Sequence, residues 1–324
     1  AGYSRWPEAP GDPGEGLHQQ QRGASVKEAF IEKKFRAESE KTIELVNEVL
    51  TEYQAQGFRL SVRQLYYQLV SRAYIPNTVR SYKNLSSLVS DARQAGLIDW
   101  DMIEDRGRET VTLSHWTDPG QIVEAAANSF CTDKWIDQPY HIEIMVEKDA
   151  LSGVLEPVAA ELDISITANK GYSSSSTMYE IGKRLAAYQS WGKHITILYL
   201  GDHDPSGIDM TRDVLDRLWT YSRCYDPIEV DRLALNWEQI EVWQPPENPA
   251  KETDSRFAAY LKKYGESSWE LDAVEPVQLA NLVRDAVIAR RDEALWQAAL
   301  DAERTMAQEL RRFADTYRKN GNRP

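Results

Sequence analysis

Three carboxylates in this chain have the spacing that a hard divalent cation needs. An apolar run, 195–200, leads through Gly201 into Asp202-His203-Asp204, and a second apolar run, 142–146, ends in Glu147. Asp202 and Asp204 have the same parity on an extended chain, so both can face one point. Magnesium takes oxygen ligands in near-octahedral geometry and keeps several waters, so two or three carboxylates suffice. Glu147, Asp202 and Asp204 are therefore the candidate metal ligands, with Mg2+ the expected ion and Mn2+ its substitute. Such an ion serves phosphoryl transfer by stabilising charge on the phosphoryl and leaving oxygens. A solitary Asp-x-Asp is more often a turn or a helix cap. The match with Glu147 at the end of a second apolar run gives the set its meaning.

A second constellation is Arg63-Gln64-Leu65-Tyr66-Tyr67. In a helix, Tyr66 shares a face with Val62, Leu65 and Leu69 and should pack inward. Tyr67 falls off that face, one turn after Arg63. A guanidinium beside a phenol can stabilise the phenolate and hold a phosphate near its oxygen. The plainer alternative is a surface tyrosine on a DNA-reading helix. Around this pair the window 58–98 holds six basic residues, Arg59, Arg63, Arg72, Arg80, Lys83 and Arg93, against one acid, Asp91. Arg80, Lys83, Asn84 and Ser87 fall on the outer face of a second short helix, where side chains would meet phosphates and base edges. With Arg59 and Arg93 they form the candidate DNA-binding set.

The elements that must hold these residues follow from periodicity. Residues 1–24, rich in Pro, Gly and Gln, read as a disordered tail. One long helix is expected over 25–56, its face made by Phe30, Ile31, Phe35, Ile43, Val46, Leu50 and Tyr53 and its end set by Gly57. Helices follow over 61–72 and from Thr78, a candidate N-cap, to Gly96. Leu97 to Thr112 then supply the strands of a wing, completing the order of a winged helix-turn-helix over 25–112. Residues 113–138 read as a linker with one helix near 121–130. From 139 the pattern alternates: strand 141–147, helix 150–162, strand 164–168, helix 174–190, strand 194–201, helix 206–220 and a short strand near 228–235. This implies a parallel sheet with helices on both faces over 139–235. Ligands of such sheets lie at the carboxyl ends of strands, where Glu147, Asp202 and Asp204 all fall. Residues 236–324 read as a mainly helical C-terminal extension.

Composition excludes some classes. The 324 residues suit two domains, and a hydrophobic content of 42% is that of a globular chain. The formal net charge of -13 argues against a generally basic surface but leaves a local basic patch free to bind nucleic acid. Two isolated cysteines, Cys131 and Cys224, form no zinc pattern and fit a reducing compartment. No apolar run reaches the length of a membrane span, and no secretory signal is evident, so the expected location is the cytoplasm, with nucleoid association if DNA is the partner.

Val146-Glu147-Lys148, Asn169-Lys170-Gly171-Tyr172 and Gly201-Asp202-His203-Asp204-Pro205-Ser206-Gly207 together resemble the Toprim domain of the A-type, DNA-cleaving subunit of topoisomerase VI, which meiotic double-strand-break transesterases share. Arg63-Gln64-Leu65-Tyr66-Tyr67 resembles the same family's catalytic winged-helix motif. Trp269-Glu270-Leu271-Asp272-Ala273 is more weakly similar to an acidic motif after its Toprim domain. The resemblance covers roughly 27–219, in the family's domain order. It implies a winged helix-turn-helix, a Toprim-like parallel α/β domain and a helical C-terminal region. It also implies cleavage of double-stranded DNA through a 5′-phosphotyrosyl link to Tyr67, with Arg63 assisting and Glu147, Asp202 and Asp204 holding magnesium. In the family, the tyrosine of one protomer meets the metal site of another, so a homodimer making paired cuts is implied. No Walker-type phosphate loop is present, which leaves open a partner ATPase on a separate chain. The Ser173–Ser176 run departs from the family's pattern. Two alternatives stand beside the transesterase. One is a hydrolytic Toprim nuclease, like OLD-family enzymes or the nuclease component of the Wadjet system, that uses water and no tyrosine. The other is a non-catalytic DNA-binding protein whose acids are structural.

Overall fold

A computed structural model describes residues 27–103, 115–169 and 173–321. These fall into two compact units, one of 27–103 and 132–303 and one of 115–131 and 304–321. The tail 1–24, Lys170, Gly171 and Tyr172 lie outside the described residues, as do positions 104–112 of the expected wing.

The larger unit opens with three helices, α1 (Ala37–Ala55), α2 (Val62–Ser71) and α3 (Val79–Gln94). The first is shorter than its periodicity suggests. Ile43, Val46, Val49, Leu50 and Tyr53 are its buried residues, whereas 27–36 is not helical and makes a single bridge from Ala29 to Ala95 before bending at Phe30 and Ile31. There the amides of Phe30 and Ile31 donate to the Gln94 carbonyl, and both side chains stay exposed. Two aromatics and an isoleucine at near-helical spacing thus mimicked a helical face in a segment that is irregular. Gly57 ends α1 at φ +83°, as expected of a helix stop. Ser61 caps α2 through a reciprocal box with Gln64, which sequence spacing alone could signal. Thr78 caps α3 by accepting the Ser81 amide at 3.1 Å. After Gly96 the expected hairpin is absent among the described residues. A short 3-10 turn over Trp100–Met102 and a single bridge between Leu60 and Ile103 stand there instead.

After α4 (Pro119–Ser129), which belongs to the smaller unit, the chain alternates through β1 (Tyr140–Val146), α5 (Ser152–Glu161), β2 (Ser165–Ala168), α6 (Ser175–Ser190), β3 (His194–Leu200), α7 (Pro205–Ser222) and β4 (Glu229–Ala234). The four strands form one parallel sheet in the order β2-β1-β3-β4. The fold is therefore mixed α/β. Strand parity divides the core. Ile142, Ile144, Val146, Leu198 and Leu200 pack with α5, while Met145, Ile195, Ile197 and Tyr199 pack with α6 and α7. Both faces are covered, which is why these strands read as continuous apolar runs.

Beyond β4 come α8 (Trp237–Trp243), β5 (Glu247–Pro249), α9 (Phe257–Tyr264), β6 (Ser267–Trp269), α10 (Pro276–Ile288) and α11 (Glu293–Gly321). The C-terminal region is mainly helical, with one addition: β5 and β6 pair as an antiparallel ribbon. Among the described residues, no helix is long and apolar enough to cross a membrane.

Candidate functional site

The sheet brings the three acids to one edge. Val146 pairs with Leu200 at the ends of β1 and β3, so Glu147 and Asp202 follow from adjacent strands. Glu147 Oε2 accepts the Asp202 amide at 2.8 Å. Asp202 Oδ1 accepts the Leu271 amide at 2.8 Å, and its Oδ2 lies 2.7 Å from Lys148 Nζ. Asp204 caps α7, with Oδ1 accepting from the Gly207 amide at 2.6 Å and the Ser206 hydroxyl at 2.8 Å. The turn needs glycine at 207, where a Cβ would stand 2.2 Å from the Asp202 carbonyl oxygen.

Burial and mutual repulsion mark the acids. Desolvation, then the nearby charge of Asp202, raises the Glu147 carboxyl to about 7. Burial also raises Asp202, against the pull of Lys148 and the Leu271 amide. The charge inventory explains this. Glu147, Asp202, Asp204, Glu270 and Asp272 face the cations Lys148, Arg63 and Arg232. The exposed Lys251 also lies 3.9 Å from Asp204 Oδ2, so the acids outnumber the nearby cations by one when all are ionised. The donor set, three carboxylates at adjacent strand ends, fits a hard cation in its oxygen chemistry. Its present geometry does not form a ready cage: among the described residues, no three His, Cys, Asp or Glu side chains are arranged to hold a metal ion. Several of the oxygens are turned to backbone amides or to Lys148 instead.

Residues beyond the expected set organise this edge. Lys148 Nζ lies 2.9 Å from Glu270 and 3.1 Å from Asp272 as well as against Asp202. Burial alone would lower its pKa, but the three carboxylates hold it well above the usual lysine range. Asp272 is 0% exposed and has no aligned hydrogen bond, so its charge is met by Lys148 and by Arg63 at 3.5 Å. Arg232, on β4, donates to the carbonyls of Asp202 at 2.6 Å, Gly207 at 2.9 Å and Gly201 at 3.2 Å, so a half-buried cation shapes the acid loop from behind. His203 exchanges backbone hydrogen bonds with Trp269, which ties that loop to β6. Its ring is neutral, lowered to about 4 by burial and Arg232. Sequence offered small signals for these: a lysine directly after Glu147, and an arginine inside an otherwise half-apolar strand.

Arg63 and Tyr67 do meet, and Arg63 also pairs with Glu270. Tyr67, however, is 4% exposed rather than facing outward. Its hydroxyl accepts from Asn248 Nδ2 at 3.0 Å. Asn248 Oδ1 in turn accepts from Asn77 at 3.2 Å, and Asn77 takes the Tyr66 hydroxyl at 2.9 Å. The second face of α2 is thus covered by β5 and by the turn 271–273, and the two rings meet edge to face. Burial, then Glu270, raises the Tyr67 phenol; Asn248 and Arg63 oppose this without cancelling it.

Of the basic set, Arg80, Lys83, Asn84 and Ser87 are exposed on α3, and Arg59 is exposed just before α2. Arg93 differs: it is half-buried, lies 4.6 Å from the Trp100 ring and donates to the Trp100 carbonyl at 3.0 Å. That engagement anchors the end of α3. Cys131 and Cys224 are free thiols. No protein family, curated protein or solved structure matches the chain.

Proposed function

We propose that this protein cleaves double-stranded DNA by tyrosine transesterification, through a winged-helix segment over α1–α3 and a Toprim-like domain built on the parallel sheet. The observation that carries the reading is one charge network. Arg63, one turn from Tyr67, and Lys148, next to Glu147, share Glu270 and Asp272, and Lys148 also holds Asp202. The candidate nucleophile's partner and the candidate metal acids are therefore linked through two residues.

In the proposed step the Tyr67 oxygen attacks the phosphorus of a phosphodiester. The phenol gives up its proton to solvent as it attacks; the bond from phosphorus to the 3′ oxygen breaks, and that oxygen takes a proton from solvent and leaves as a 3′-hydroxyl. The 5′ phosphate stays on the tyrosine. Arg63 lowers the cost of the phenolate and holds the phosphate. A divalent cation on Glu147, Asp202 and Asp204 would supply charge stabilisation at the phosphoryl oxygens. Asn248 must leave the Tyr67 hydroxyl for DNA to reach it.

The burial of Tyr67 and its raised phenol favour a second reading, hydrolysis by water at the same acids with the tyrosine structural. A denaturing gel of the full chain with end-labelled DNA and Mg2+ or Mn2+ separates the two. Under the first reading a covalent adduct forms and is lost, with cleavage, in Tyr67→Phe, while DNA binding persists. Full cleavage by Tyr67→Phe establishes hydrolysis instead. Retained cleavage in Asp202→Ala would remove both readings.

A further inference from the structure

Lys148 stands where three separate chain segments converge. Its ammonium has three donors, and three carboxylates surround it: Asp202 Oδ2 at 2.7 Å, Glu270 Oε2 at 2.9 Å and Asp272 Oδ2 at 3.1 Å. Asp202 arrives after β3, and Glu270 and Asp272 after β6. The other oxygen of Asp202 already accepts the Leu271 amide. A cation taking Asp202 Oδ2 must displace Lys148 or share the oxygen with it, and one bound through the remaining lone pair of Oδ1 still meets the repulsion of that like charge.

We infer that Lys148 is a tethered competitor for the divalent cation, a positioning residue whose ammonium occupies Asp202 Oδ2 and sets the affinity with which an ion takes that oxygen. The inference rests on the metal reading above and adds to it the residue that regulates the site. The exchange needs no unpaired buried charge at any stage. Once displaced from Asp202, the ammonium keeps Glu270 and Asp272, and Asp202 gains the ion. Asp272 makes this workable, because its fully buried oxygens have no aligned hydrogen bond to give up. A purely structural lysine, by contrast, would tie the segments together without affecting what binds at Asp202.

The test is titration of the full chain with Mn2+, read by electron paramagnetic resonance of the free ion, for the wild type, Lys148→Met, Lys148→Arg and Asp202→Ala. Lys148→Met should bind Mn2+ about tenfold more tightly than wild type, since a nearby positive charge is removed. Lys148→Arg should stay close to wild type, and Asp202→Ala should lose the site. Equal or weaker binding by Lys148→Met, with Asp202-dependent binding in the wild type, overturns the inference and leaves the metal reading intact. Absence of Asp202-dependent Mn2+ binding in every variant removes both. If Lys148→Met does not fold, the wild type carries the test through amine-reactive labelling mapped by mass spectrometry. Mn2+ should raise labelling of Lys148 severalfold, and unchanged or reduced labelling overturns the inference.

Discussion

Glu147 shows how a single residue here trades stability for chemistry. Its carboxyl sits at about 7 in the folded chain against an ordinary 4.5. Between those values the folded state holds a proton that the unfolded state has lost. Below 4.5 both states are protonated and there is no penalty. As pH rises through the window the penalty grows, and above 7 it is complete, so this residue makes the fold less stable at higher pH. Glu147→Gln removes the charge and keeps an oxygen for the Asp202 amide. The variant should exceed the wild type in stability at pH 8 by a few kcal/mol, on the order of the pKa difference converted at about 1.4 kcal/mol per unit. The gain should vanish near pH 4. Urea unfolding at the two pH values measures it, and a pH-independent difference would mean that the carboxylate is not strained. Under the proposed function the same change stops cleavage, because the strain is what makes the position attractive to a cation.

At the scale of elements, α3 presents the basic side chains that the sequence placed on its outer face. Arg80 and Lys83 are exposed there, opposite the buried Leu85, Val89 and Ala92. If they bind phosphates, replacing both with Ala should weaken DNA binding uniformly across sequences. It should also flatten the slope of log affinity against log salt by about 2, at about 0.9 for each phosphate no longer neutralised. Fluorescence anisotropy at several salt concentrations reads this, and an unchanged slope removes α3 from the interface. The α3 face was legible because an amphipathic helix declares itself locally, as does the Thr78 cap. The burial of Tyr67 was not legible. Its cover is Asn248, 181 positions along the chain. The strand that carries Asn248 is three residues long, too short for any alternation to show. Phe30 and Ile31 misled for the opposite reason, since near-helical spacing over one turn does not distinguish a helix from an irregular segment. The acids themselves were placed correctly at the strand ends. Their partners Lys148 and Arg232 left only small local signals, because ion pairing between segments leaves no periodic trace.

At the scale of the whole molecule, the proposed transesterification can draw its acids from the same chain as Tyr67 or from a second copy. Within one chain, Tyr67 is capped by Asn248, and Arg63 is engaged by Glu270 and Asp272. A phosphate reaching that tyrosine must displace Asn248 and must draw Arg63 from its carboxylates. A second copy bringing DNA and its own acid edge could do both, which is the arrangement the family resemblance implies. Mixing two inactive variants tests it. In a dimer of one Tyr67→Phe chain and one Asp202→Ala chain, one composite site joins a damaged tyrosine to damaged acids. The other joins the intact tyrosine to intact acids. Such dimers should cut one strand only, so the mixture should nick supercoiled DNA without linearising it, while each variant alone does nothing. The adduct should map to the Asp202→Ala chain, the one that keeps its tyrosine. If the mixture stays inactive although the protomers have exchanged, each tyrosine depends on the acids of its own chain. The network through Lys148 and Arg63 would then be the working connection between the two halves of the site.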